Sequence, residues 1–157
     1  MIAIVEGEHT LATTRLATKG DIDLLFDMIR SLANHEGQLN SVLTKRENLL
    51  RDGFSDIPKF EVIIAQDNEN VMGYISYTWR YSIWKAETFM QIDDVYVKSE
   101  YRGQNIGQKL MLKAQEICQS KGVSQIKWEV EQDNDRALKF YEGLGAESKV
   151  KVICTWN

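Results

Sequence analysis

The segment from residue 88 to residue 121 constrains the fold of this chain more than any other stretch. Residues 88–97 are rich in β-branched and aromatic side chains, which predicts a long strand. A basic, glycine-containing turn follows at residues 102–107, and apolar residues then recur at helical spacing from Ile106 to Cys118. A strand, a tight turn and a helix in this order direct backbone N–H groups and the positive end of a helix dipole at one point. The segment therefore predicts an anion site that suits a phosphate or pyrophosphate group.

The turn itself reads Arg102-Gly103-Gln104-Asn105-Ile106-Gly107. It is not a Walker A loop, because no Gly-Lys-Ser/Thr sequence follows it. It is not the dinucleotide fingerprint either, because the glycine spacing and the downstream acid differ. Taken alone, the turn is equally consistent with a simple connection between a strand and a helix, so its function depends on the rest of the chain.

The other patterns along the chain predict an α/β (α+β) fold, with a mixed sheet and helices on its faces. Strands are expected at residues 13–17, 60–65, 71–79, 88–97, 124–131 and 149–156. Helices are expected at residues 21–33, 45–52, 106–121 and 133–144. Thr44 and Glu47 form a capping-box pattern for the second helix.

The length and patterning of the chain predict one domain. A chain of 157 residues is long enough to bury a core without disulfides or a structural metal. No repeat, low-complexity segment or linker divides it, so residues 13–157 are expected to form the domain. Residues 1–12 are expected to be an N-terminal extension or an edge strand.

Charge and composition exclude several classes of protein. A formal net charge of -4 and a pI near 5.3 argue against a nucleic-acid binder, which needs a basic face. No apolar run approaches the ~20 residues that cross a bilayer, so we expect no membrane partner and a cytoplasmic location. Cys118 and Cys154 have no metal-ligand spacing and lie in apolar patterns, which predicts reduced core thiols and no metal site.

A second motif lies at residues 132–146, which read Gln-Asp-Asn-Asp-Arg-Ala-Leu-Lys-Phe-Tyr-Glu-Gly-Leu-Gly-Ala. Together with the turn, it resembles the GNAT family of N-acetyltransferases, whose acetyl-CoA motif is Arg/Gln-x-x-Gly-x-Gly/Ala at a helix start. Within the family, Leu-Leu-Arg-Asp-Gly-Phe, the loop at residues 81–84 and Ile-Asp-Asp-Val-Tyr-Val resemble the diamine (spermidine/spermine) branch, which includes thialysine acetyltransferases. The resemblance extends from about Thr13 to the C-terminus.

The resemblance implies a GNAT-type mixed central sheet flanked by about four helices, with acetyl-CoA as cosubstrate. Main-chain groups of the strand would bind the pantetheine arm, and N–H groups of the turn would bind the pyrophosphate. Asn105 replaces the first glycine of the family motif, which is tolerable because Asn adopts left-handed conformations. The implied cofactor-binding residues are Val95, Tyr96, Val97, Arg102, Gly103, Gln104, Asn105, Ile106, Gly107, Asn134 and Tyr141.

Acetyl transfer to an amine requires a base for the nucleophile and an acid for the leaving thiolate. Tyr141 matches the family tyrosine that protonates the thiolate. Asp93 occupies the position of a glutamate that is thought to act as the base through water, and its side chain is one methylene shorter. Because Asp93 and Asp94 are adjacent on a strand, they should point to opposite faces unless a bulge intervenes.

A polyamine site needs spaced carboxylates and aromatic walls. The candidate substrate-binding residues are Glu36, Asp52, Trp79, Tyr81 and Trp84. Compared with the polyamine enzymes, the chain has fewer acids after its first helix, where it reads Gly-Gln-Leu-Asn. A diamine or a thialysine-like amino acid is therefore expected over spermine.

The resulting hypothesis is an acetyl-CoA-dependent N-acetyltransferase that acts on a small primary amine by direct attack in a ternary complex. One alternative is acetylation of a protein N-terminus or lysine, which an open substrate groove would favour. Another is a non-catalytic acyl-CoA-binding module. The resemblance further implies a homodimer, and the alternating final segment is suited to pairing across it.

Overall fold

The computed structural model describes residues 11–68 and 70–157, and its elements confirm the predicted α/β class. The strands are β1 (Thr13–Leu16), β2 (Glu61–Asp67), β3 (Asn70–Ser82), β4 (Glu87–Val97) and β5 (Ile126–Lys127). The helices are α1 (Ile22–His35), α2 (Arg46–Gly53), α3 (Ile106–Ser120) and α4 (Asp135–Gly143). Most of the predicted N-terminal extension lies outside the described residues.

Residue contacts divide the chain into two compact units, one that ends at Lys127 and one that begins at Trp128. The first unit contains the sheet and α1 to α3. The second unit contains α4 and the C-terminal segment. The boundary predicted at residue 12 stays a prediction.

The strands form one mixed sheet in the order β1-β2-β3-β4-β5. Neighbouring strands are antiparallel except for β4 and β5, which are parallel. β2 and β3 form an antiparallel hairpin. Gly73 lets β3 approach β4 closely, because a Cβ at this position would lie 2.3 Å from the carbonyl oxygen of Tyr96.

Helices cover both faces of the sheet because strand side chains alternate between them. On one face, Leu25 of α1 and Leu49 of α2 pack with Tyr74 of β3 in a buried cluster. The neighbouring Ile75 is also fully buried and points to the opposite face, where α3 packs on the strands through Leu110. This arrangement places the start of α3 at the end of β4, where the turn lies.

A β-bulge interrupts the ladder between β3 and β4. Ser76 pairs with Asp94 and Tyr77 pairs with Ile92, so Asp93 is the extra residue on β4. Bulges occur often beside active sites, where they change the direction of a side chain. The bulge separates the environments of Asp93 and Asp94, which matters for the site.

The predicted strands after α3 are largely wrong. The strand expected at residues 124–131 is only Ile126–Lys127, and the described residues 149–156 contain no strand. Val152 is 87% exposed and Trp156 is fully exposed, so the alternating pattern of this segment has no core face here. A strand needs a neighbour for its backbone groups, and sequence alternation alone does not supply one.

Two local predictions also need correction. The second helix is capped by Lys45, whose backbone N–H donates to Asn48 Oδ1 at 2.9 Å, rather than by the pair of Thr44 and Glu47. Cys118 is buried as expected, but Cys154 is exposed, because the final segment forms no strand.

Candidate active site

The turn at residues 102–107 presents backbone N–H groups at the start of α3. The first α-helical hydrogen bond is donated by the N–H of Lys109 to the carbonyl of Asn105, at 3.0 Å. The N–H groups of residues 105–108 therefore lie in the first helical turn, where the helix has no carbonyls to accept them. Together with the helix dipole, these donors favour an anion.

The backbone of the turn has the conformations that such a site requires. Asn105 is the N-cap of α3 and adopts the left-handed region, with φ 60° and ψ 18°. Gly103 has φ 79° and no atom within 4 Å of an added Cβ. Arg102 ties the turn to β4, because its Nε donates to the carbonyl of Val97 at 3.0 Å. Asn105 thus adopts the left-handed conformation that we expected asparagine to tolerate at this position.

The last part of β4 has an incomplete ladder toward β5. The two strands pair only at Met90 with Ile126 and at Gln91 with Lys127. In the described structure, strand pairing on this side does not extend to Val95 or beyond. Main-chain groups of residues 95–97 on this edge fit the predicted role of binding an extended, amide-containing arm.

A cavity of about 400 Å³ lies beside β4 in the same unit, and we call it the acidic cavity. It contains two carboxylates, those of Glu36 and Asp94, and none of its lining residues is basic. Its lining residues are Ile29, Leu32, Ala33, Glu36, Gln38, Ser41, Val42, Leu43, Thr44, Tyr74 and Asp94. Apolar walls with two acids suit a small ligand that carries positive charge.

Asp94 is held by a neighbour on β3. Ser76 Oγ donates to Asp94 Oδ2 at 2.8 Å, across the position where the two residues pair in the ladder. Tyr74 lies on the same face and is fully buried. Burial raises the pKa of Tyr74, and the negative charges of Asp94 and Glu36 raise it further, so its phenol stays neutral.

Asp93 lies in a different environment from Asp94. It is exposed, occupies the bulge and is not among the residues that line the acidic cavity. A bulge does intervene at Asp93, and of the two adjacent acids only Asp94 lines the acidic cavity. The role of Asp93 as the base stays a prediction.

Of the predicted substrate-binding residues, only Glu36 lines the acidic cavity. Asp52 is engaged at the end of α2 by Arg51 and by Lys59, whose Nζ lies 2.8 Å away, and these cations lower its pKa. Trp79 Nε1 donates to Glu61 Oε2 at 2.7 Å.

Tyr81 and Trp84 belong to the connection between β3 and β4. Tyr81 is 63% exposed and Trp84 is 99% exposed. Neither residue lines the acidic cavity.

The second unit contains the predicted general acid. Tyr141 lies on α4, with its ring 5.0 Å from the ring of Trp128, and burial raises its pKa. A phenol with a raised pKa is protonated at neutral pH, which is the state that an acid needs. Asn134 is the N-cap of α4, and its Oδ1 accepts from the N–H of Ala137 at 3.1 Å.

The sequence reasoning missed Tyr74, Ser76 and Asp94 as site residues. Their common face depends on the register of β3 against β4, and the bulge at Asp93 shifts that register. Alternation along β3 puts Tyr74 and Ser76 on one face, which was a usable signal. The residue of β4 that pairs with Ser76 could not be predicted without knowledge of the bulge.

Two further kinds of feature are absent from the described residues. No helix among them is long and apolar enough to cross a membrane. Within the same residues, no group of three or more His, Cys, Asp or Glu side chains is placed to hold a metal ion.

Comparison with known proteins agrees with the turn and the fold. The family model described as "Acetyltransferase (GNAT) family" matches residues 26–146. The chain is 36% identical over 141 residues to thialysine N-epsilon-acetyltransferase of Bos taurus, covering 85% of this chain and 82% of that protein. It is 34% identical over 147 residues to the Mus musculus protein of the same name, covering 87% and 86%.

Among solved structures, an aminoglycoside acetyltransferase from an uncultured soil metagenomic sample has a TM-score of 0.79 at 18% identity. The match covers 94% of this chain and 95% of that one, which shows a shared fold. The fold and the matched residues define the class, and the chain belongs to the acetyltransferase (GNAT) family. It is an N-acetyltransferase, and members of this family generally use acetyl-CoA.

Proposed function

We propose that this enzyme transfers the acetyl group of acetyl-CoA to a small primary amine that carries a second positive charge. Diamines, polyamines and thialysine-like amino acids belong to this class. The observation that supports this proposal most strongly is the acidic cavity, where Glu36 and Asp94 lie among apolar residues and no lining residue is basic. A monocationic or neutral acceptor would leave this concentration of negative charge without a partner.

The turn supports the proposed cosubstrate. Its backbone donors at the start of α3 fit a pyrophosphate, and the edge of β4 at residues 95–97 fits the pantetheine amides. The first turn of the helix contains no acidic side chain that would repel an anion. Asn134 is another proposed cofactor-binding residue. Because its Oδ1 already caps α4, its side-chain amide N–H would make the contact with the cosubstrate.

Acetyl-CoA supplies an activated thioester. Side chains of the enzyme then have to remove one proton from the amine and donate one to the leaving thiolate. We assign Asp93 as the base that removes a proton from the incoming ammonium. Its exposed position in the bulge supports this role, because a base that acts through water needs access to solvent. We assign Tyr141 as the acid that protonates the leaving thiolate, which its raised pKa supports.

We also propose a homodimer in which the final segment pairs with the second copy. In the described structure Val150, Val152, Ile153 and Trp156 are exposed, although the segment alternates as a strand would. Exposed apolar residues of this number favour burial against a partner. The cytoplasmic location and the absence of a nucleic-acid partner stay predictions.

The test is release of thiol from acetyl-CoA across a panel of diamines, monoamines, amino acids and peptides. We expect kcat/KM for a short diamine to exceed that for a monoamine of equal length by about 10-fold, since one ion contact is worth about 1.4 kcal/mol or more. Glu36→Gln should raise the KM for the diamine. Asp56→Asn is the matched control, because Asp56 is exposed and does not line the acidic cavity.

Two outcomes would contradict the proposal. Higher kcat/KM for peptides than for every small amine would favour protein acetylation. Acetyl-CoA binding without transfer to any acceptor would favour a binding module.

A further inference from the structure

The wall of the acidic cavity that β3 and β4 form is a cluster of three polar side chains. Tyr74 and Ser76 lie two residues apart on β3, and Asp94 pairs with Ser76 across the ladder. All three therefore share one face of the sheet, ahead of the bulge. Tyr74 and Asp94 line the cavity, and Ser76 contacts Asp94 from the side.

Ser76 fixes the carboxylate of Asp94. Its Oγ donates to Oδ2 at 2.8 Å, so that oxygen already has a partner and Oδ1 is left to accept from a ligand. A hydrogen bond to a carboxylate is stronger than one between two neutral groups. Without it, the Asp94 side chain would have to be ordered by the ligand itself, at an entropic cost.

The hydroxyl of Tyr74 makes no hydrogen bond of ordinary geometry, although burial and the nearby carboxylate of Asp94 both act on it and raise its pKa. Among the described residues it is one of the buried side-chain oxygens that make no hydrogen bond, and the Tyr74 side chain is fully buried. A buried hydroxyl without a hydrogen bond is costly to the folded state, which favours a ligand that supplies the missing partner. Tyr74, Glu36 and Asp94 all line the acidic cavity, so the three groups lie around a common space.

We propose that these groups form a subsite for the distal primary ammonium of the acceptor, with Tyr74 as a specificity-determining residue and Ser76 as a positioning residue. The inference rests on the proposed function and narrows its acceptor class. A primary ammonium has three N–H donors, which match Asp94 Oδ1, a Glu36 oxygen and Tyr74 Oη.

Two related groups fit the subsite less well. A quaternary ammonium has no N–H donor and is best bound by several aromatic rings, whereas Tyr74 is the one aromatic residue among those that line the cavity. A carboxylate beside the ammonium, as in an α-amino acid, would face Asp94 and Glu36 with no basic lining residue to balance it. The subsite therefore favours a diamine over the corresponding amino acid.

The experiment compares four acceptors that share one transferable amine and a five-carbon chain. They are a pentane diamine, its analogue with a distal trimethylammonium group, the isosteric monoamine with a distal methyl group, and lysine. For the wild type we expect kcat/KM for the diamine to exceed each of the others by about 10-fold or more, as one lost charged hydrogen bond implies.

Variants of Ser76 and Tyr74 test whether these residues act on binding of the acceptor rather than on folding. Ser76→Ala should raise the KM for the diamine about 10-fold, the equivalent of about 1.4 kcal/mol, with kcat within about twofold. Ser76→Thr, which keeps the hydroxyl, should restore most of that loss. Tyr74→Phe should reduce the preference for the diamine over the trimethylammonium analogue. Ser31→Ala is the matched control, because Ser31 is an exposed serine on α1 whose hydroxyl donates to the main-chain carbonyl of Asp27.

The outcomes are distinguishable from a failure of the proposed function. If none of the four acceptors is acetylated, the proposed function fails and this inference fails with it. If all four are acetylated with similar kcat/KM, the subsite fails and the proposed activity stands. Equal KM increases for the diamine and the monoamine in Ser76→Ala would also overturn the positioning role.

Discussion

In the proposed function, the turn at residues 102–107 and the acidic cavity recognise their ligands in different ways. The turn uses backbone N–H groups that belong to one continuous segment, with a left-handed Asn105 and the first turn of α3. The acidic cavity uses side chains from α1, the loop after it, β3 and β4. Backbone donors suit a pyrophosphate that is common to many acyl donors, and side chains suit an acceptor that varies between enzymes.

We therefore expect the two regions to respond differently to substitution. Substitutions in the turn act through backbone conformation or local charge, and they should affect the acetyl donor. Substitutions in the acidic cavity act through individual contacts, and they should affect the amine. The predictions below test that separation, beginning with a residue that lies in neither region.

Tyr141→Phe should have the largest effect. If Tyr141 protonates the leaving thiolate, loss of its hydroxyl should lower kcat by about 10²-fold or more, the low end for a positioned acid. The KM values for acetyl-CoA and for the amine should both stay within about twofold, because Phe keeps the ring of Tyr141 and neither the turn nor the acidic cavity is altered. Steady-state kinetics with both substrates varied is the measurement, and an unchanged kcat would remove Tyr141 from the mechanism.

Asp93→Asn should lower kcat by about 10²-fold near neutral pH, the scale expected for loss of a general base. The defect should shrink as pH rises, because the amine then loses its proton without help. A pH profile of kcat for the wild type and the variant is the measurement. A change in KM alone would instead assign Asp93 to binding, like its neighbour Asp94, and would remove the distinction between the two acids.

The sequence predicted the turn well because every determinant of it is local. The left-handed residue, the glycine before it and the apolar spacing of α3 all lie within one segment, and Asn105 adopts the expected conformation. The acidic cavity was predicted only through Glu36. Tyr74 and Asp94 join it because of strand register, which a bulge at Asp93 shifts and which no local pattern encodes.

The errors in the second unit have the same physical origin. The alternation at residues 149–156 is typical of a strand, yet strand formation requires a partner that the pattern does not contain. By contrast α4 is observed at Asp135–Gly143, close to its predicted range, because its cap and its apolar spacing are local. Elements that depend on residues close in sequence were therefore predicted correctly, whereas elements that depend on distant residues were not.

Gln108→Glu should have an intermediate effect that is confined to the acetyl donor. It places a negative charge in the first turn of α3, where a charge about 4 Å from a phosphate costs about 1 kcal/mol in water, so the KM for acetyl-CoA should rise about fivefold. Stability should stay equal or rise by a few tenths of a kcal/mol, because acids favour a helix N-terminus.

Gln119→Glu is the matched control for this change. Gln119 lies in the last turn of α3, is exposed and is as far from the turn as the helix allows. The KM of the Gln119→Glu variant for acetyl-CoA should match that of the wild type. Its stability should be slightly lower, because a negative charge is unfavourable at the C-terminal end of the helix dipole. Equal KM increases in both variants would show that net charge matters and the turn does not.

Asn105→Ala should have the smallest effect, and on stability. Ala adopts the left-handed region less readily than Asn, at a cost of about 1 kcal/mol. Asn105→Gly should keep or slightly raise the free energy of unfolding, since glycine adopts φ 60° freely. Denaturant unfolding of both variants is the measurement, and a destabilising Asn105→Gly would contradict the conformational explanation.

The most direct test of the central claim is the KM of Asp94→Asn for each of the two substrates. The claim is that the acidic cavity binds the amine while the turn binds the acetyl donor. We expect the KM for the diamine to rise about 10-fold, as loss of one ion contact implies, with the KM for acetyl-CoA unchanged within about twofold. An unchanged KM for the diamine, or a KM for acetyl-CoA that rises equally, would contradict the account.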